Sequence, residues 1–261
     1  MMNPRFQSFL YRFFQSPKGH SLLQQEKALI DQALAQVFGL YLVQLGIVSS
    51  DDLLANSRAN CKVMIDNHWQ RFQGARFVAA NVDYLPLKSD SIDVVVLPHT
   101  LEAVTDPYHI LRQVDDVLIA EGNVLITGFN PAGCRIMRNL FGEHRPYFKK
   151  ANLIRAHRII DWLNVLGYDI EMVSYTSPSC LMKSDSSEKR WAWVESFERL
   201  LEKMGLNFGN TYCILAKKRV SSPTPVGLNW HISNWLAVNK GRSVISNRSH
   251  HTHHNNVEKD S

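Results

Sequence analysis

The fold is decided by residues 92–131, which read IDVVVLPHTLEAVTDPYHILRQVDDVLIAEGNVLITGFNP. Residues 94–97 are a continuous apolar run rich in β-branched side chains, and such a run is typical of a strand buried on both faces of a parallel sheet. Pro98 and His99 end this strand, and residues 123–127 form a second run of the same kind. The stretch therefore predicts a right-handed unit of strand, crossover helix and parallel strand.

The crossover helix is marked at both of its ends. Thr105 and Asp106 suit an N-cap, and Pro107 suits the first helical position because its missing N–H would have no partner there. Gly122 stands where a left-handed C-cap is expected. The apolar residues between these signals recur at helical spacing and form one face: Ile110, Leu111, Val114, Val117 and Leu118.

Further strands and helices extend this unit along the chain. Five more segments carry the pattern of strands: residues 40–45, 61–65, 76–80, 168–175 and 210–217, the last of them antiparallel. Helices are predicted from Ser49 or Ser50 to Leu54, over 152–166 with Gly167 as the C-cap, and from Ser187 or Glu188 to Met204. The alternation predicts an α/β fold with a doubly wound, mostly parallel, seven-stranded sheet.

The first 38 residues are predicted to form two helices that precede the sheet. The first helix has an apolar stripe at helical spacing: Phe6, Phe9, Leu10, Phe13 and Phe14. This stripe either caps the core or docks on a membrane surface or a partner. Residues 16–19 break the helix, and Ser21 with Gln24 resembles a capping box that opens a second helix ending near Phe38.

Length and composition limit the class of protein. A chain of 261 residues accommodates one domain, predicted over 1–220, and the Ser-, Pro-, Asn- and His-rich residues 221–261 predict a largely disordered tail. No run approaches the roughly 18 apolar residues that span a bilayer, and the N-terminus lacks the features of a signal peptide. The four cysteines form no CxxC pair, and the histidines within 250–254 lack the spacing of a tetrahedral site. We therefore expect a cytoplasmic protein without a metal centre.

The positive charge is concentrated in one stretch. Residues 135–158 contain seven basic residues and one acidic residue, a net charge of +6, whereas the whole chain carries +5 and the remainder therefore −1. Such a stretch is either a solvated helix face or a positive rim that attracts an anionic substrate or partner.

Polar residues follow three of the predicted strands at their carboxyl ends, where open parallel sheets bind ligands. Asp66 comes 20 positions after Gly46, and an acidic residue at that distance from a glycine turn can accept hydrogen bonds from ribose hydroxyls. Asn81 can bind an adenine edge through its amide. Singly, each of these side chains also suits an ordinary turn or loop cap. Together with residues 97–99 they predict an adenosine pocket.

These residues belong to an ordered set of motifs that resembles the class I S-adenosylmethionine-dependent methyltransferases of the type 11 group. The matching segments are 80–87 (ANVDYLPL), 91–97 (SIDVVVL), 99–102 (HTLE), 106–107 (DP), 117–118 (VL) and 121–122 (EG). A narrower resemblance is to a bacterial branch of uncharacterised type 11 methyltransferases. It rests on 44–46, 128–131, 161–167 and 218–225, and it covers roughly residues 15–230.

The resemblance implies a Rossmann-like methyltransferase fold with S-adenosylmethionine as cofactor. The positions it assigns to cofactor binding are Gln44, Gly46, Asp66, Asn81, Val82, Leu97, Pro98 and His99. The chain departs from the family's first motif, D/E-x-G-x-G-x-G, because Gln44 replaces the acid and the branched Ile47 and Val48 follow Gly46. Such side chains crowd a turn in which glycine normally lets the backbone approach the cofactor.

The chemistry that the resemblance implies is direct in-line displacement at the sulfonium methyl group. His99 is either a general base, oriented by Asp83 or Glu102, or a structural loop residue. We expect a small-molecule or polar anionic acceptor, while nucleic acid is suggested only by the basic stretch, since no recognition module is present. The altered turn keeps open an alternative, a non-catalytic binding or regulatory protein.

Overall fold

The computed structural model describes residues 3–50, 52–67, 76–133, 145–149, 151–177 and 209–219, all of which belong to the compact unit Met1–Val220. The helix predicted to end at Met204, the tail over 221–261 and part of the basic stretch lie outside the described residues. None of the described helices is long and apolar enough to cross a bilayer.

Seven strands form one sheet in the order β3-β2-β1-β4-β5-β7-β6. The strands are β1 (Tyr41–Leu45), β2 (Cys61–Asp66), β3 (Arg76–Ala79), β4 (Ile92–Pro98), β5 (Leu118–Phe129), β6 (Tyr168–Tyr175) and β7 (Thr211–Lys218). The first five are parallel, and β7 is inserted antiparallel between β5 and β6. This sheet confirms the predicted α/β class and the predicted strands.

The centre of the sheet explains the uninterrupted apolar run of β4. β4 pairs with β1 on one side, where Gln44 lies opposite Val96, and with β5 on the other, where Leu97 lies opposite Ile126. Residues 94–97 are fully buried. The carboxyl ends of β1, β2 and β4 therefore lie beside one another at one edge.

Six helices are described: α1 (Pro4–Gln15), α2 (Pro17–Leu34), α3 (Thr100–Ala103), α4 (Pro107–Val117), α5 (Arg145–Phe148) and α6 (Ala156–Val165). Asp106 caps α4 through a hydrogen bond from the His109 amide, as predicted. The predicted C-cap at Gly122 is wrong, because α4 passes directly into β5 and Gly122 is part of that strand. The positive φ in this region, 63°, belongs to Glu121.

Three other helix boundaries differ from the prediction. α2 begins at Pro17 because Ser16 accepts the Gly19 N–H and caps it, so Ser21 lies inside the helix and not at its start. The region ending at Leu54 forms turns in place of the predicted short helix. α6 begins only at Ala156, and the Asn152 N–H before it is bonded to the Glu102 carbonyl.

The two N-terminal helices pack against the sheet and its carboxyl-end loops. The predicted stripe of α1 is buried in the core, which confirms the core-capping alternative for these residues: Phe6, Phe9, Leu10, Phe13 and Phe14. Burying each such side chain stabilises the fold by about 1.5–3 kcal/mol. α1 is thereby held over the edge at which a ligand of this fold would bind.

Candidate functional site at the carboxyl ends of β1, β2 and β4

Asp66 is the buried acidic residue at the end of β2. Its carboxylate is 1% exposed, and Oδ2 accepts a hydrogen bond from the Ile47 N–H at 2.8 Å. The turn before Ile47 is shaped by Gly46, which has φ of 83° and donates its N–H to the Ile65 carbonyl. The same Oδ2 accepts a hydrogen bond from the side-chain amide of Gln7 on α1. Asp66 is thus held at the predicted ribose position by the glycine turn and covered by the N-terminal helix.

Gln44 supplies a second polar group at the end of β1. The side chain is 2% exposed and its Nε2 donates to the Gly46 carbonyl at 2.9 Å. Its Oε1 has no hydrogen-bond partner among the described residues. Leaving a buried acceptor unsatisfied costs about 1–3 kcal/mol, so this oxygen is suited to a donor brought by a ligand, such as an amine.

The turn itself is filled by side chains. Ile47 and Val48 are each 3% exposed, and Val48 is part of the main hydrophobic cluster. The branched side chains of the turn are therefore buried in this conformation, and the crowding of a ligand by them stays a prediction.

The residues after β3 are arranged differently from those after β1 and β2. Asn81 is exposed, and its Oδ1 accepts the Asp83 N–H at 3.0 Å in a local turn. Val82, in contrast, is fully buried. The Asp83 carbonyl is 2.9 Å from Nε2 of His109. Asn81 thus lies on the accessible side of the sheet edge while Asp66 lies beneath α1.

The end of β4 carries a buried charged network centred on His99. Its Nδ1 is 2.8 Å from Oε2 of Glu102, and its Nε2 is 3.0 Å from Oε2 of Glu26 on α2. Glu26 also accepts a hydrogen bond from the Thr127 hydroxyl at 2.5 Å, and Glu102 accepts the Phe129 N–H. The network joins α2, α3, β4 and β5 within the protein interior.

His99 is an imidazolium in this network. Burial by itself lowers the pKa of His99, but the charges of Glu26 and Glu102 and the hydrogen bonds to both raise it to about 10. Each ring nitrogen then donates to a carboxylate, so no lone pair remains to take a proton. Burial also raises the pKa of Glu102, and the cation of His99 opposes that effect. In this conformation both ring nitrogens of His99 are engaged by carboxylates.

Glu26 and Gln7 are two residues of this site that the motifs did not identify. Glu26 lies four residues after Leu22 and four before Ile30, and all three are buried on one face of α2. Gln7 is likewise a polar side chain on the buried face of α1. In the sequence, each of these residues is recognisable as a polar side chain within an apolar stripe. This pattern does not show which residue the side chain contacts.

The carboxyl end of β4 is completed by Leu97, Pro98 and Thr100. Leu97 and Pro98 are buried, and the Thr100 hydroxyl donates to the Leu45 carbonyl. This bond ties the loop after β4 to the end of β1. The loop is further fixed by the ring of His99, which lies 4.2 Å from that of Phe129 between centroids.

The groups present fit an adenosyl cofactor in their chemistry. The Asp66 carboxylate can accept ribose hydroxyls, and Gln44 Oε1, which lacks a partner among the described residues, can accept an amine. Within the described ranges, no group of three or more His, Cys, Asp or Glu side chains is arranged to hold a metal ion.

Comparison with known proteins gives a matching domain model, a related protein and solved structures of the same fold. Residues 50–126 match the family model for the type 11 methyltransferase domain, a match that begins after the altered turn. The chain is 30% identical over 141 residues to the uncharacterized protein YafS of Escherichia coli (strain K12), which covers 52% of this chain and 55% of that protein. The match therefore spans about half the length of that relative.

Solved structures share the fold at low identity. A SAM-dependent methyltransferase from Thermotoga maritima has a TM-score of 0.53 and 13% identity, over 80% of this chain and 100% of that chain. The cyclase SpnF has a TM-score of 0.51 and 13% identity, over 75% of this chain and 80% of that chain. The match to the methyltransferase domain model thus covers residues 50–126, and the solved structures show that the chain shares their fold.

Proposed function

We propose that the chain binds S-adenosylmethionine at the carboxyl ends of β1 and β2 and transfers its methyl group to an acceptor by in-line displacement. The observation that carries this proposal is Asp66, a buried carboxylate that the Gly46 turn holds at the end of β2. On the neighbouring strand Gln44 adds an acceptor, Oε1, that has no hydrogen-bond partner within the described ranges. The predicted contacts of Asn81, Val82, Leu97 and Pro98 complete the proposed cofactor site.

The bound cofactor would supply a methyl group on a sulfonium, which is already a strong electrophile. The residues of this chain would then contribute alignment and exclusion of water and little covalent chemistry. Asp66 would bind the ribose hydroxyls and Gln44 the amine. His99 would fix the loop after β4, because both of its nitrogens are engaged by carboxylates.

The acceptor side is proposed from charge. Lys149, Arg155 and Arg158 are exposed around the start of α6, and they belong to the basic stretch 135–158. A small polar or anionic acceptor fits this surface better than an uncharged one. We also propose a cytoplasmic protein whose catalytic unit is residues 1–220, in keeping with the free thiols of Cys61 and Cys213.

Calorimetric titration with S-adenosylmethionine and S-adenosylhomocysteine tests the proposal. We expect binding of both, and we expect Asp66→Asn to weaken it about tenfold or more, because an amide retains one acceptor oxygen where the carboxylate offers two. Asp106→Asn is the matched control, since Asn caps a helix as well as Asp does. Absence of binding at millimolar ligand would overturn the proposal.

A second candidate function has its own support. Ile47 and Val48 are buried branched side chains in the turn where the resembling family has glycine, and a shared fold does not by itself imply a shared activity. The chain would then be a non-catalytic binding or regulatory protein. The same titration separates the two, because this candidate predicts no binding of either methyl donor or product.

A further inference from the structure

We infer that α1 is an intramolecular plug of the ribose site, in which the side-chain amide of Gln7 takes the place of a ribose hydroxyl on Asp66. This inference rests on the proposed function. It adds that cofactor and α1 compete for one carboxylate, so that cofactor entry requires withdrawal of the first turns of α1.

The competition follows from the geometry of one oxygen. Oδ2 of Asp66 accepts from both the Ile47 N–H and the Gln7 amide, and the carboxylate is 1% exposed. A ribose diol needs direct access to such a carboxylate to donate its hydrogen bonds. Gln7 and a ribose therefore exclude one another, while the Ile47 contact is compatible with either.

The start of α1 is held by polar contacts and by the buried ring of Phe6, which lies 6.2 Å from that of Phe148 between centroids. The Asn3 N–H donates to the Ala103 carbonyl at 2.6 Å, and the Asn3 side chain caps the amides of Arg5 and Phe6. The N-terminal end of α1 thus contacts α3, the helix that follows His99.

The later turns of α1 are anchored differently. The ring of Phe14 lies 5.3 Å from His99 and 6.2 Å from Phe129 between centroids. The neighbouring Glu26 on α2 is fixed inside the charged network. In the proposed movement the end of α1 is the pivot, and withdrawal of the segment carrying Asn3 and Gln7 also separates Phe6 from Phe148.

A closed plug lowers the apparent affinity for ligand. When only a fraction of molecules is competent to bind, the apparent Kd is the intrinsic Kd divided by that fraction. Removing the Gln7 amide takes away a hydrogen bond to a charged group, which raises the competent fraction by about tenfold. If α1 is a plug, loss of the contact between Gln7 and Asp66 should therefore tighten ligand binding.

The test compares full-length wild type with Gln7→Ala and Gln15→Ala, each titrated with S-adenosylhomocysteine. Gln15 is the matched control because it lies exposed on the same helix. We expect Gln7→Ala to bind about tenfold more tightly than wild type and Gln15→Ala to bind like wild type. Equal affinity in all three overturns the plug and leaves the proposed function standing. Absence of binding by all three overturns both.

A disulfide variant tests the inference independently of whether Gln7→Ala folds. Asn3 and Ala103 are chosen for a cysteine pair because a backbone hydrogen bond joins them. In the Asn3→Cys/Ala103→Cys variant we expect oxidation to weaken binding at least tenfold and reduction to restore it, with wild type treated in parallel for its native thiols. Unchanged binding in the oxidised variant overturns the plug.

Hydrogen exchange distinguishes a plug from a lid. If α1 is a plug, saturation of wild type with S-adenosylhomocysteine speeds exchange of the α1 amides, including the Gln7 N–H that is bonded to the Asn3 carbonyl. Slower exchange of these amides would mean that α1 closes over the ligand, and would overturn the inference.

Discussion

At the end of β2 the N-terminal helices meet the sheet through a neutral amide, Gln7, on the carboxylate of Asp66. At the end of β4 they meet it through an imidazolium, His99, held between the carboxylates of Glu26 and Glu102. The first junction is one contact that a ligand hydroxyl can replace. The second is a network in which every charged group depends on the others. The same edge of the sheet thus carries a contact that a ligand can replace, at Asp66, and a network that stays in place, at His99.

The difference follows from the physics of buried charge. Removing one partner of a buried ion pair leaves an uncompensated charge and is strongly destabilising, whereas exchanging one hydrogen-bond donor for another on Asp66 leaves the carboxylate satisfied. We therefore expect substitutions at the β4 end to change stability, and substitutions at the β2 end to change ligand affinity.

The largest expected effect is that of His99→Asn. His99 has φ of 51°, a left-handed conformation that Asn tolerates, so the substitution removes the cation without straining the backbone. Glu26 and Glu102 then face each other unpaired. We expect a loss of about 3–5 kcal/mol in the free energy of unfolding, measured with urea.

His109→Asn serves as the matched control for that measurement. This histidine is half-buried and contacts the Asp83 carbonyl, so its loss is expected to cost about 1 kcal/mol. If the two variants were equally stable, the charged network would not be the anchor of the β4 end.

The next effect is the dependence of stability on pH. The pKa of His99 is raised from 6.5 to about 10 in the fold. Its contribution to stability is therefore complete below pH 6.5 and is lost as the pH rises toward 10. The raised pKa of Glu102 acts in the same direction, because ionising that buried group opposes folding.

We accordingly expect the unfolding free energy of wild type to fall by up to about 1 kcal/mol per pH unit between pH 7 and 9. Urea titrations at several pH values measure this slope, and His99→Asn should lack the part due to His99. Parallel pH profiles for the two proteins would show that His99 is not a buried cation.

Much of this fold follows from local patterns. The β-branched run of β4, the cap at Asp106 and the position of Asp66 after β2 are properties of short segments, and the structure has them where the sequence predicts them. Gly122 misled the prediction because a glycine after a helix can as well lie in the strand that follows.

The partners within the site were not predictable from such segments. Gln7 meets Asp66 across 59 residues, and Glu26 meets His99 across 73. A helix pattern shows which face is buried but not which loop that face covers. The position of Asp66 at the sheet edge was therefore predictable, and its contact with the N-terminal helix was not.

The smallest effect on stability is expected for Gln44→Met. The substitution removes an acceptor, Oε1, that has no partner within the described part of the chain, together with the bond to the Gly46 carbonyl. Removing the unpaired acceptor should stabilise the fold, and losing the hydrogen bond to the Gly46 carbonyl should destabilise it. The net change in the free energy of unfolding should therefore be less than about 1 kcal/mol. Binding of S-adenosylhomocysteine should nevertheless weaken severalfold, as calorimetry would measure. A large loss of stability with unchanged binding would assign Gln44 to structure alone.

The central claim is that a nucleoside binds where Asp66 holds the Ile47 N–H. The most direct measurement is an NMR titration of wild type with S-adenosylhomocysteine, followed at the backbone amides of Gly46 and Ile47 and at the side-chain amide of Gln7. We predict that all three resonances shift with one affinity, and that the Gln7 amide loses its hydrogen-bonded shift. Saturation by ligand with these three resonances unmoved would contradict the account.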